Sequence, residues 1–185
     1  MKVYEVVTEV DDYKSLLAAD DSVHESNLLA FDGSSKVGDW TDPLEAELDG
    51  LDGLDPDIYS MDAGNLVLTK RSLATLHPKL SSNCEFLPIY WGNENGNLIN
   101  VIGYVDCLDK QKTEWYIDED SGKKLYVERY GFVKDRLPNL NLFKIEESSF
   151  ILLTVDREDG TENLKSIVEE NQLTGLRFEL LWESK

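Results

Sequence analysis

Two apolar runs, EFLPIYW at 85–91 and NLINVIGYV at 97–105, stand on either side of GNENG, a cluster of turn-forming residues. Runs this short with such a boundary fit strands rather than helices, and the pair predicts a β-hairpin. A second hairpin is predicted in KTEWYIDEDSGKKLYVERYGFV, turning at Asp118–Gly122. In its second arm Leu125, Val127 and Arg129 face one way and Tyr126, Glu128 and Tyr130 the other. The centre of the chain is therefore committed to sheet.

Further strands are expected at about 2–10, near 27–31, at Val67 and Leu68, in LFKI, in SFILLTV and in the closing LRFELLW. DYKSLLAAD reads as a short helix. Leu73, Leu76 and Leu80 fall on one helical face, in a helix that Pro78 shortens or kinks. DGTENLKSIVEENQLTG is the clearest helix: Asp159 or Thr161 caps it, Leu164, Ile167 and Val168 share a face, and Gly175 follows its end. EAELDGLDGLDPDIYSMDAGN is acidic and repeatedly interrupted by glycine, so it reads as a surface segment with little regular structure. The sum is an α+β fold, one domain over 1–185, sheet-rich with antiparallel hairpins and a few short helices.

Charge then narrows the function. The chain carries 37 acids against 18 bases, a net −19, while 41% of its residues are hydrophobic, so it is acidic without being compositionally disordered. Residues 1–65 hold 17 acids and 3 bases, and this N-terminal portion is the electrostatic pole. The charge argues against nucleic acid as a ligand because phosphate binding needs a basic footprint. No apolar run approaches the roughly 20 residues that span a bilayer. MKVYEVVTEV alternates and carries Glu5 and Glu9, so it reads as a strand and not as a signal peptide, and a cytoplasmic location is the expectation. Cys84 and Cys107 are expected as reduced thiols.

The chemistry-bearing candidates are few. Asp106, Cys107 and Asp109 form a cluster at a predicted strand end, but zinc sites favour paired cysteines and histidines, and the chain has only His24 and His77. A capped strand exit explains the cluster better. Both histidines read as surface or helix-end residues, without a nucleophile in reach. DEDSGKKLYVER has Lys123 where a calcium-binding EF-hand loop needs glycine and Arg129 where it needs glutamate. No glycine-rich phosphate loop is present. No catalytic, cofactor-binding or metal-binding residue is assigned, and the chain reads as a non-enzyme.

The order of several short motifs resembles a bacterial immunity-protein family, the eleventh in the usual numbering, whose members neutralise polymorphic toxins. The motifs are KVYEV, the Trp and Pro-Leu of DWTDPL, LTKRSLATLHPKL, CEFLPIYW, NVIGYVDCLD, LFKI and LTGLRFELLW. The resemblance implies a stoichiometric inhibitor without catalytic residues or cofactors, whose partner is a cognate toxin domain. It does not extend to DGLDGLDPDIYSMDAG. Charge points the same way independently: a toxin attacking phosphate-bearing substrates needs a cationic cleft, and an acidic surface is drawn to one quickly. The expected contacts are Asp39, Trp40, Asp42, Asp49, Asp52, Asp55, Asp57, Tyr59 and Asp62, with Trp40 and Tyr59 as exposed aromatic anchors beside the acids. A small hydrolase or other enzyme with an acidic cleft, and an acidic nucleic-acid mimic or regulatory adaptor, are the alternatives.

Overall fold

The central hairpin forms as predicted in the computed structural model, which describes residues 1–20, 22–50, 52–62 and 64–184. The side chains of His24 and Glu25 also lie outside the described residues, so the expectation for His24 goes no further. In the hairpin, β6 (Cys84–Trp91) and β7 (Glu94–Val101) pair antiparallel. Leu87, Ile89 and Trp91 are buried, whereas Pro88 and Tyr90 between them are exposed. GNENG divides: Gly92 and Asn93 make the turn, and Glu94, Asn95 and Gly96 continue as strand. Gly96 is glycine for another reason, since a Cβ there would sit 2.5 Å from the Leu68 carbonyl oxygen. Its absence lets a neighbouring strand approach and close a barrel.

That barrel runs β2 (Ser15–Ala18), β3 (Leu44–Asp49), β6, β7, β5 (Asn65–Leu68) and β4 (Ile58–Met61). The pairings β2/β4 and β3/β6 are parallel and the other four antiparallel. Leu16, Ala46, Tyr59, Met61, Val67, Leu87, Ile89, Trp91 and Leu98 fill the interior, with Phe31 and Trp40 from the connecting loops. Each large side chain so buried contributes about 1.5–3 kcal/mol.

The barrel has two unlike walls. Outward residues of β4, β5 and β7, among them Ile58, Leu66, Leu68 and Ile99, are packed under α2 (Lys70–Leu80), α3 (Leu164–Glu170) and part of a three-stranded sheet. In that sheet β1 (Lys2–Thr8) lies between β10 (Leu152–Asp156) and β11 (Leu176–Glu183), antiparallel to both. Gly175 joins α3 to β11 at φ +98°, and a Cβ there would stand 2.0 Å from the Ile58 carbonyl oxygen. The second wall, β2–β3–β6, is covered only at one end, where Phe86 of β6 lies under His77 of α2; elsewhere Leu17, Glu45, Glu47, Pro88 and Tyr90 face outward and are exposed among the described residues. On the far side of the three-stranded sheet, Val3, Leu153 and Val155 pack with Cys107, Leu108, Phe132 and Phe143. The second hairpin, β8 (Glu114–Ile117) and β9 (Lys124–Arg129), projects beside them, with Val127 its buried residue and Leu125 and Arg129 exposed.

Several sequence expectations change. DYKSLLAAD is not helical: its Leu-Leu-Ala is strand β2, because pairing with β3 and β4 outweighs helix propensity in so short a segment. Residues 27–29 form a turn after the one-turn helix α1 (Ser22–Glu25), and no strand spans 27–31, Asn27 lying at φ +55°. The acidic 45–65 segment is not irregular, since it contributes to β3 and supplies the whole of β4. LFKI contributes a single bridge, Phe143 to Leu153. The cap of α3 is Asn163, not Asp159 or Thr161: its side chain accepts from the Ser166 amide at 3.1 Å, while Ser166 Oγ accepts from the Asn163 amide at 3.0 Å. No helix among the described residues is long and apolar enough to cross a membrane.

Candidate functional site: an acidic barrel wall

Strand β3 reads LEAELD, and its period of two puts the three acids on one face, although Leu48 on the opposite face is also 38% exposed. Ala46 is buried toward the interior, while Glu45, Glu47 and Asp49 are exposed on the outer face. Alternate residues on a strand are about 7 Å apart, so these carboxylates form a row. Their cross-strand partners carry no positive charge: Asp49 stands opposite Ser15, Glu47 opposite Leu17 and Glu45 opposite Tyr90. None of the three acids makes an ion pair among the described residues. Two unit charges about 7 Å apart in water repel by roughly 0.6 kcal/mol at low salt, so the row works mildly against the fold.

Apolar surface lies within the same row. Leu17 is 45% exposed and Tyr90 38%. The Glu45 carboxylate close to the Tyr90 hydroxyl raises its pKa. Where β3 begins, a groove of about 440 Å³ opens beside the wall. Asp20, Asp39, Asp42 and Glu45 supply its charge, with Trp40 and Leu44 among its apolar lining.

The expected contact residues separate into surface and scaffold. Asp39, Asp42, Asp49 and Asp52 are exposed as anticipated. Asp55 is exposed too, but it is held by Lys14 at 2.9 Å and by the Tyr59 hydroxyl at 3.1 Å, and the Lys14 hydrogen bond lowers its pKa. Asp57 is structural. Its side chain, only 13% exposed, accepts from the Thr174 amide at 3.0 Å and pairs with Arg71 at 2.8 Å. It thereby ties β4 to α2 and to the segment before β11. Asp62 is half-buried at φ +47° in the turn between β4 and β5.

The two aromatic anchors are not exposed. Trp40 is 8% accessible, its indole N–H donating to the Pro88 carbonyl at 2.9 Å, and Tyr59 is 4% accessible, packed edge-on against Trp91 at 5.2 Å. Both face the barrel interior because a large ring beside alternating acids still buries its apolar area when a core lies within reach. Tyr90 and Leu17 hold the exposed places instead. Alternation in EFLPIYW contained that signal, since Ile89 and Trp91 facing inward puts Tyr90 outside.

The remaining candidates resolve locally. Cys107 is fully buried, Asp106 is exposed and pairs with Arg136 at 3.4 Å, and Asp109 accepts from the Gln111 amide at 3.1 Å in the turn that leads to β8; because β7 already ends at Val101, the cluster is not the strand exit expected from the sequence. Cys84 and Cys107 are free and buried, and burial above all pushes both thiols up to about 12, well outside the reactive range. His77 lies on the Phe86 ring with centroids 4.5 Å apart. No group of three or more metal-ligating side chains occurs among the described residues. The chain matches no protein-family model and no curated protein.

Proposed function

We propose that this chain is an immunity protein, a stoichiometric inhibitor that binds one cognate toxin domain through the β2–β3–β6 wall. The row of Glu45, Glu47 and Asp49 carries the reading. These are like charges held in line by a strand, without bases opposite and beside exposed Leu17 and Tyr90. The missing positive charge is supplied by the partner, so repulsion in the free protein becomes attraction in the complex. Exposed apolar groups within the row give the desolvated contacts that affinity requires. The order of motifs resembling the eleventh immunity family supports the same reading. Those motifs fall mainly on β1, α2, β6 and β11; of these only β6 belongs to the wall, and the acids of β3 lie outside them, free to match a particular toxin. Blocking requires no chemistry from the inhibitor, only occupation of a cationic cleft.

Co-expression with the toxin domain encoded beside this chain tests the proposal. Cells are expected to survive, and the two chains to purify together in a fixed ratio. Death of the cells with no complex recovered overturns it. Reversing Glu47 and Asp49 to lysine is expected to slow association about tenfold or more at low salt and to flatten its salt dependence.

A further inference from the structure

A second surface stands apart from the acidic wall, on other elements. Strand β9, the loop before β10 and the edge strand β11 enclose a groove of about 620 Å³. Its walls are apolar and open: Phe150 is 74% exposed, Leu180 52% and Tyr126 49%. Tyr126 is fixed by stacking on Tyr116 with centroids 4.9 Å apart. Glu5 and Glu128 also line the groove. Neither carboxylate makes an ion pair among the described residues, and Arg129 on the same wall is paired with Glu114. Glu5 also stands directly across the strands from Glu179, a second acid that Arg177 pairs with at 3.0 Å. Like charges directly opposite in a sheet are destabilising.

We infer that this groove docks a basic protein segment, seating an arginine or lysine between Glu5 and Glu128 with its aliphatic stem along Phe150 and Leu180. Charge selects the occupant. A second copy of a chain carrying −19 would bring more acid to the groove, whereas a cationic side chain relieves Glu5 and Glu128 together. The apolar walls suit the methylene stem and planar head of arginine, which stacks on aromatic rings. Burial and the Glu179 charge raise the pKa of Glu5 by more than nearby Arg177 lowers it, and a bound cation removes the cost that remains.

The test titrates the isotopically labelled intact protein with the capped peptide Leu-Arg-Leu-Arg-Leu and with its glutamate counterpart, following backbone amides by NMR. The basic peptide is expected to shift Glu5, Tyr126, Glu128 and Phe150, and the acidic peptide to shift none of them. The double variant Glu5→Gln/Glu128→Gln is expected to bind at least fivefold more weakly while melting no lower than the parent, which separates lost docking from lost folding. Glu47→Gln, on the other surface, is expected to leave this binding unchanged, so the groove and the toxin-facing wall are judged separately. Equal binding by the double variant, equal shifts from the acidic peptide, or shifts confined to β3 overturn the inference. So does a concentration-dependent shift of the same amides without peptide, which would assign the groove to self-association.

Discussion

Asp49 and Asp57 lie in one acidic stretch and differ in everything that decides their roles. Asp49 is exposed on the outer face of β3, while Asp57 accepts from the Thr174 amide and hydroxyl and pairs with Arg71. Hydrogen bonds to a charged group contribute about 1.5–3 kcal/mol each, and removing one partner leaves the others unsatisfied. Asp57→Ala is therefore expected to lower unfolding stability by about 2–3 kcal/mol, whereas Asp49→Ala should stay within about 0.5 kcal/mol of the parent. Urea unfolding of the two variants checks the contrast, and equal effects would refute the division of this stretch into surface and scaffold. Sequence could not make that division, because Thr174 and Arg71 are distant in the chain and meet Asp57 only through the fold. Trp40 and Tyr59 were misplaced for the same reason: adjacency to acids in sequence says nothing about which way a ring turns.

Elements with a strong periodic signal were legible, and those set by their neighbours were not. Both hairpins, α2 and α3 form where apolar spacing places them, the hairpins with turn residues in their own segments, although α3 is capped by Asn163 and α2 has no side-chain cap. β2 and β4 are four residues each and are held by the strands that flank them, information absent from Ser15–Ala18 or Ile58–Met61 alone. β3 is the instructive case. Its LEAELD alternates in sequence, but the surrounding acids and glycines favour an irregular segment, and only pairing with β2 and β6 turns the three acids into a row. The row predicts a stability change of unusual sign. Glu47→Lys replaces two repulsive neighbours with two attractive ones, so the free protein is expected to gain a few tenths of a kcal/mol up to about 1 kcal/mol at low salt. The gain should shrink as added salt shortens the screening length from about 30 Å at 0.01 M to about 8 Å at 0.15 M. Thermal melts across that range check it, and a loss of stability at every salt concentration would remove the uncompensated row from the account.

At the scale of the whole molecule, the excess of acid sets how stability responds to pH, and the two kinds of carboxylate pull in opposite directions. Glu158, bonded to the N-terminal ammonium and to Lys2, is held down to about 2 from its ordinary value of 4.5. Asp20, Asp32, Asp118 and Asp159 are also lowered, chiefly by hydrogen bonds from nearby serine or threonine. A lowered group stabilises the fold above its unfolded pKa, and the contribution is lost as pH falls toward the folded value. Glu5 is the reverse: burial and Glu179 raise it, so the folded state takes up a proton first and gains stability as pH falls through the raised value toward 4.5. Protonation there also relieves part of the self-repulsion of a chain at −19. Stability should therefore rise slightly from neutral pH toward about 5 and fall steeply below about 4, with its maximum on the acid side of neutrality. Glu5→Gln is expected to flatten the rise while leaving the acid limb in place. Urea midpoints measured from pH 8 to 3 on both proteins decide it: a parent curve falling steadily from neutrality, or a rise that persists in Glu5→Gln, would deny the groove carboxylate the unpaired state on which its docking role depends.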